Sequence, residues 1–221
     1  MRHLRRCRLC RITSPELALA NLSRLTGAGA VSYLAGPQLD AVGGQGRQYA
    51  TAETAKILRR YGSVATDGGW LCEGLDPLNG WKPMEWGCLK PEAPRYVGLK
   101  AIKYDIPAEE KTRSFWLRVP ATVAQRIADR FGLTPPPEVV ADTNGNKGAF
   151  WRWLDSERGL PLLFTEGAKK AAAALSAGIP CVGLSGIWNG SPKGAHGRPE
   201  LLADLRGIKL RGRQCSLQSN R

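Results

Sequence analysis

No stretch of this 221-residue sequence approaches the roughly 18 consecutive apolar residues that carry a helix across a bilayer. The Arg-rich beginning is not followed by the apolar run of a secretory leader either. A soluble, non-secreted protein with no membrane partner is therefore expected. Six cysteines in a chain of this length do not form the dense framework of a disulfide-stapled domain, so reduced thiols in a cytoplasmic setting are expected. Cys7 and Cys10 have the CxxC spacing that can hold zinc, but no second CxxC or HxxxH follows, and Cys72 and Cys88 stand alone. Acidic residues are also sparse. Met1–Thr13 carries Arg2, Arg5, Arg6, Arg8 and Arg11 without an Asp or Glu, the composition of a disordered basic arm. The GAGA and GGQG runs within Gly27–Gly46 match neither GxxxxGKS nor GxGxxG between a strand and a helix, so this stretch reads as linker rather than phosphate loop.

What is present is an ordinary apolar fraction of 43%, enough for a buried core, and a marked excess of positive charge. The 32 Lys and Arg exceed the 19 Asp and Glu by 13, so the molecule attracts polyanions, with nucleic acid the first candidate. A solvated basic face is the plainer alternative.

Along the chain, Ser14 as N-cap and Pro15 at the first helical position predict a short helix over Pro15–Leu25. A second helix is expected over Thr51–Tyr61, stopped by Gly62. Gly68–Pro107 is rich in Trp, Gly and Pro and predicts an irregular β region with strands near Gly69–Cys72 and Tyr96–Tyr104. Phe115–Val119 reads as a strand ended by Pro120. Val123, Ile127 and Phe131 mark one face of a helix over Ala121–Phe131 closed by Gly132. Pro135–Pro137 marks a module boundary, Asn144-Gly145 a turn, and Ala149–Leu154 a strand bearing Trp151 and Trp153.

Leu160–Thr165 is a short apolar run without alternation, as in a parallel strand covered on both faces. Ala168–Ala177 has strong helix propensity and stops at Gly178, and Cys181–Leu184 reads as the next strand. This is a βαβ unit, and Glu166 stands at the carboxyl end of its first strand, where ligands collect in such folds. A carboxylate there serves either as a magnesium ligand and proton carrier or simply as a complement to the positive end of the following helix.

The run Leu162-Leu163-Phe164-Thr165-Glu166-Gly167 followed by Lys169-Lys170-Ala171 resembles the first motif of a toprim domain, the metal-dependent module of primases and topoisomerases. With GLSGIWNG downstream, and Trp86–Pro91, Pro94-Arg95, Lys103–Pro107 and Phe115–Val119 upstream, the chain resembles from about Ala52 to Gly190 the toprim-like domain of unknown function 3854 family of plasmid- and phage-type replication proteins. The resemblance implies an α/β fold: a truncated toprim-like (Rossmann-like) parallel βαβ unit preceded by a mixed α+β module. The expected divisions are a basic, flexible lead-in over 1–50, a mixed module over 51–137 and a partial toprim-like domain over 146–214. It implies Glu166 as general acid or base and as a magnesium ligand, and a DNA-transaction role in plasmid replication or priming, with DNA, single-stranded DNA in particular, and a replicative helicase as partners. A complete toprim domain continues into a strand ending in Asp-x-Asp, whereas Ile208–Arg221 holds no acid, so the magnesium site is expected to be weak or absent and the chain truncated. Glu200 and Asp204, on a predicted helix, are poor stand-ins. The alternative is a non-catalytic nucleic-acid-binding module or a gene fragment.

Two basic groups are the candidate phosphate contacts. Lys90, Arg95, Lys100 and Lys103 alternate with Trp81, Trp86, Tyr96 and Tyr104, a mixture suited to single strands unless the tryptophans are core anchors. Lys169, Lys170, Lys193 and Arg198 surround the βαβ unit, while His196, a lone imidazole, reads as a surface residue.

Overall fold

The computed structural model describes residues 17, 21–26, 30–33, 42–44, 47–49, 60–65, 69–107, 110–193 and 197–218. Cys7, Cys10, the basic arm and His196 lie outside them, as does most of the helix expected over Thr51–Tyr61. The chain divides into two compact units: Met1–Ala20, Gly74–Met84 and Thr112–Arg221 in one, Asn21–Glu73 and Glu85–Lys111 in the other. No helix among the described residues is long and apolar enough to cross a membrane.

The second unit is built on an antiparallel arrangement of β1 (Leu22–Thr26), β2 (Ala30–Tyr33), β5 (Gly69–Asp76) and β6 (Lys82–Pro91), in the order β2-β1-β5-β6. Between them in sequence, β3 (Val42–Gly44) and β4 (Arg47–Tyr49) form a separate ribbon. Two sequence expectations are corrected here. Leu22–Leu25, assigned to the first helix, is strand and pairs with β5 from Leu22↔Cys72 to Leu25↔Gly69. Gly27–Gly46, assigned to a linker, supplies β2 and β3. Short strands of this kind lack a local period, and cross-strand pairing overrides the helix propensity of residues such as Leu22 and Leu25.

β5 and β6 form a hairpin whose tip, residues 74–84, belongs to the first unit. β7 (Tyr96–Val97) and β8 (Lys100–Ala101) make a small hairpin beyond it. It is tied down by a bridge in which Leu89 and Asp105 exchange N–H···O bonds of 2.8 Å each way.

The first unit is α/β. Its sheet has the order β12-β10-β11-β9, formed by β9 (Ser114–Phe115), β10 (Leu162–Glu166), β11 (Cys181–Leu184) and β12 (Cys215–Gln218). β10 runs parallel to β11 and β12, and β9 is antiparallel to β11. Helix α1 (Ala121–Phe131) closes on Gly132 at φ 65° and buries Val123 and Ile127, as the sequence predicts, but its buried stripe is completed by Ala124 and Ala128, with Phe131 only half-buried. A short α2 (Pro137–Val140) follows the prolines without leaving the unit.

Ala149–Leu154 is not a strand but the body of helix α3 (Ala149–Ser156). Its buried set contains the adjacent pair Phe150-Trp151 together with Trp153 and Leu154, which a two-residue period does not place on one face. Both ends are secured by side chains outside the helix. The Asp142 carboxylate, itself buried, accepts the N–H groups of Lys147 and Ala149 at the start. Arg213 donates to the carbonyls of Leu154, Glu157 and Leu160 at the finish. The turn before α3 presses Gly145, at φ +69°, so closely on Val119 that an added Cβ would lie 2.5 Å from its backbone nitrogen.

The core of this unit centres on Trp81, Trp116 and Trp151. Trp116 and Trp151 are fully buried, their rings meeting edge-to-face at 4.9 Å, and Trp151 Nε1 donates to Leu117 O at 2.8 Å. Helix α4 (Ala168–Ser176) lies between β10 and β11 in sequence, and its last carbonyls at Ser176 and Ala177 accept from Arg126 and Arg130 of α1. Helix α5 (Ala203–Arg206) precedes β12.

Candidate nucleic-acid interface

The βαβ unit expected over Leu160–Leu184 is present, with β11 as predicted over Cys181–Leu184 and Glu166 level with Leu184 at the carboxyl edge of the parallel strands. β10 is buried at Leu162, Phe164 and Thr165, which explains the unbroken apolar run that marked it. Gly167 takes φ 82° and donates its N–H to Leu184 O at 2.6 Å, a backbone conformation that turns the chain from β10 into α4 directly behind Glu166. The Glu166 side chain is exposed and has no hydrogen bond or ion pair among the described residues.

The next strand shows what stands beside Glu166. β12 runs parallel to β10 with Thr165 level with Gln218, and it carries Cys215, Ser216, Leu217 and Gln218, none acidic. Among the described residues there is no group of three or more His, Cys, Asp or Glu able to hold a metal ion. A single carboxylate does not satisfy the oxygen-rich, octahedral demand of magnesium, so the described residues do not fit that ion.

Asp204 is placed where a second carboxylate would be wanted, since its partner Ser114 is level with Leu184 and hence with Glu166 across the sheet. It is nevertheless wholly committed. Asp204 is fully buried on α5, its Oδ2 accepting from Ser114 N at 2.8 Å and Ser114 Oγ at 2.9 Å, its Oδ1 accepting from Arg113 Nε at 2.7 Å. Arg113 also reaches Asp76 at 2.5 Å. Burial opposes the charge of Arg113, but hydrogen bonds and charge from Asp76 and Asp204 outweigh it and raise its pKa. No local pattern marks this cluster, because Asp76, Arg113 and Asp204 are far apart along the chain.

Beyond β11 the backbone builds a presented loop. Ile187–Gly190 forms a 3-10 turn, Leu202 N donates to Gly190 O at 3.0 Å, Glu200 N donates to Pro192 O at 2.9 Å, and Lys193 bridges Pro199. These rungs pair residues 190–193 with 199–202 as a tongue at the carboxyl edge of the sheet, with Lys193 and Arg198 exposed on it. Neither has an ion pair among the described residues. Lys169, half-buried at the start of α4, is also unpaired, whereas Lys170 turns its Nζ out of solvent with no hydrogen-bond partner.

Lys90, Arg95, Lys100 and Lys103 belong to the other unit. Lys100 and Lys103 are exposed there beside Tyr96 and Tyr104, which are 67% and 47% exposed, while Arg95 is bound to Asp105 at 2.7 Å. The stacking role considered for Trp81 and Trp86 is overturned. Trp86 is buried in the core, and Trp81 packs against Trp116 and Trp151. Sequence alone could not distinguish an anchoring aromatic from a presented one, because both favour Gly-rich surroundings.

Residues 150–218 match the family model described as Domain of unknown function (DUF3854). That segment belongs to the DUF3854 family. The DUF3854 match begins in α3 and runs through the tongue, α5 and β12, so Ile208–Gln218, the acid-free stretch, lies inside it. The chain is also 37% identical over 191 residues to an uncharacterized protein of Picosynechococcus sp. (strain PCC 7002), covering 84% of this chain and 18% of the relative, so it spans under a fifth of that relative's length. No solved structure matches.

Proposed function

We propose that this chain is the nucleic-acid-binding part of a cytoplasmic DNA-transaction protein of the plasmid-replication or primase-associated kind, gripping phosphodiester at the carboxyl edge of β10 and β11 without performing phosphoryl chemistry by itself. The observation that carries this reading is the tongue. Its Lys193 and Arg198 are held out into solvent by backbone rungs, unpaired with any described carboxylate, at the edge of a parallel sheet where ligands collect. The excess of 13 positive charges supplies the long-range attraction, and the resemblance to toprim-like replication proteins supplies the substrate class. Lys100 and Lys103, on the other unit, extend the same chemistry, and a replicative helicase is the protein partner that this setting would bring.

A catalytic reading rests on one observation, the exposed and unpartnered Glu166 at the strand end. The residues beside it do not complete a magnesium site, so the binding reading is preferred. Equilibrium titration of fluorescent single- and double-stranded DNA across a salt series tests it. Affinity should fall steeply with salt, and Lys193→Gln with Arg198→Gln should flatten the log-log slope by about one unit per residue removed. Absence of binding at low salt, or a slope untouched by the double variant, overturns the assignment.

A further inference from the structure

The basic side chains do not account for Trp188. Its side chain is 87% exposed, while Trp70, Trp86, Trp116, Trp151 and Trp153 are all buried. An indole left in water forgoes one of the largest burial gains any side chain can make, so its presentation needs a reason. The backbone holding it is firmly organised. Asn189 N donates to Gly186 O at 2.9 Å, Ser191 N donates to Trp188 O at 3.2 Å, and Asn189 Nδ2 donates to Ser185 Oγ at 3.2 Å. Gly190, the last residue of the turn, is buried, and a Cβ there would lie 3.0 Å from Leu184 Cδ1, so the turn sits directly on the end of β11. The indole is thereby offered at the carboxyl edge, at the root of the tongue that carries Lys193 and Arg198. Glu200, the one acid between Leu184 and Leu202, is tied to Arg206 at 3.0 Å, which leaves Lys193 and Arg198 as the unpaired charges of the tongue.

We propose that Trp188 is a stacking platform for an unpaired nucleobase, with Lys193 and Arg198 holding the phosphates that flank it, so that the site selects single-stranded over double-stranded nucleic acid. An exposed indole face beside fixed cations is suited to a base that has left its partner, and a base within a duplex presents no free face to it. This inference deepens the function proposed above and rests on it.

The test uses the full chain, three labelled ligands of equal length and two variants. The ligands are an oligothymidylate, a duplex and a strand of abasic sites, which has phosphates without bases. Trp188→Ala should weaken the oligothymidylate complex by at least about fivefold at fixed salt, leave its salt slope unchanged and leave abasic-strand binding as it was. Trp188→Phe should retain most of the affinity. Because the side chain is in solvent, both variants should keep the unfolding midpoint of the parent. Equal affinity of parent and Trp188→Ala for the oligothymidylate overturns the platform while leaving the binding function standing. An equal loss toward the abasic strand or the duplex overturns it too. Failure of the parent to bind any of the three overturns both.

Discussion

Replacing Asp204 by Asn exchanges one oxygen for an NH2 group inside a fully buried cluster, with almost no change in volume. The Asn oxygen can still accept from Ser114 N and Oγ, the two bonds now made by Oδ2. The amide then meets Arg113 Nε, where Oδ1 accepts a bond of 2.7 Å, so a donor faces a donor. Losing one charge-assisted hydrogen bond costs about 1.5–3 kcal/mol, and stranding a buried donor about 1–3 kcal/mol. Breaking a buried ion pair on one side usually costs about 3–5 kcal/mol, but Arg113 retains Asp76, which places the expectation near 3 kcal/mol. Urea unfolding followed by circular dichroism reads this as a lower midpoint with an unchanged m-value. A loss below about 1 kcal/mol would refute the view that Asp204 is a structural clamp fastening α5 to β9.

Two further outcomes follow from buried polar groups. Arg213→Met should destabilise the protein by roughly 2–4 kcal/mol, because three carbonyls at the end of α3 lose their donor, offset in part by removal of a buried guanidinium whose charge is already disfavoured by burial and by Arg158. The same urea titration checks this, and a variant as stable as the parent would show that the bonds contribute nothing. Burial pushes the Cys181 thiol up to about 12 from the ordinary 9.0. The folded form therefore keeps its proton while the unfolded form loses it, so this contribution to stability is complete below about pH 9 and disappears as pH rises toward 12. Iodoacetamide labelling of the native protein at pH 8.5, read by peptide mass spectrometry, should modify exposed Cys215 well before Cys181, and equal rates would contradict the burial.

The βαβ unit was legible because each part of it is decided locally. A strand covered on both faces must be continuously apolar, an Ala-rich run favours helix, and Gly178, at φ 80°, is read directly as its stop. Helix α1 was legible for the same reason, its buried stripe and closing Gly132 being written within eleven residues and the one that follows. The failures share the opposite property. Leu22–Leu25 becomes a strand because β5, nearly 50 residues away, offers it a partner, and α3 is a helix in a place where Trp151 and Trp153 suggested alternation.

The site divides along the same line. Sequence alone placed Glu166 at a strand end, assembled the basic residues and noted the missing acids, since charge and strand boundaries are properties of the chain itself. Only the tertiary structure determined which aromatic faces water and which carboxylate is spent. Trp86 and Trp188 are the same residue type in similar Gly-containing surroundings, and packing alone buries the first and leaves the second 87% exposed. Asp204 is unavailable because Ser114 and Arg113, some 90 residues earlier, satisfy both its oxygens. Burial and hydrogen-bond satisfaction depend on contacts between residues distant along the chain, and these exist only once the chain has folded.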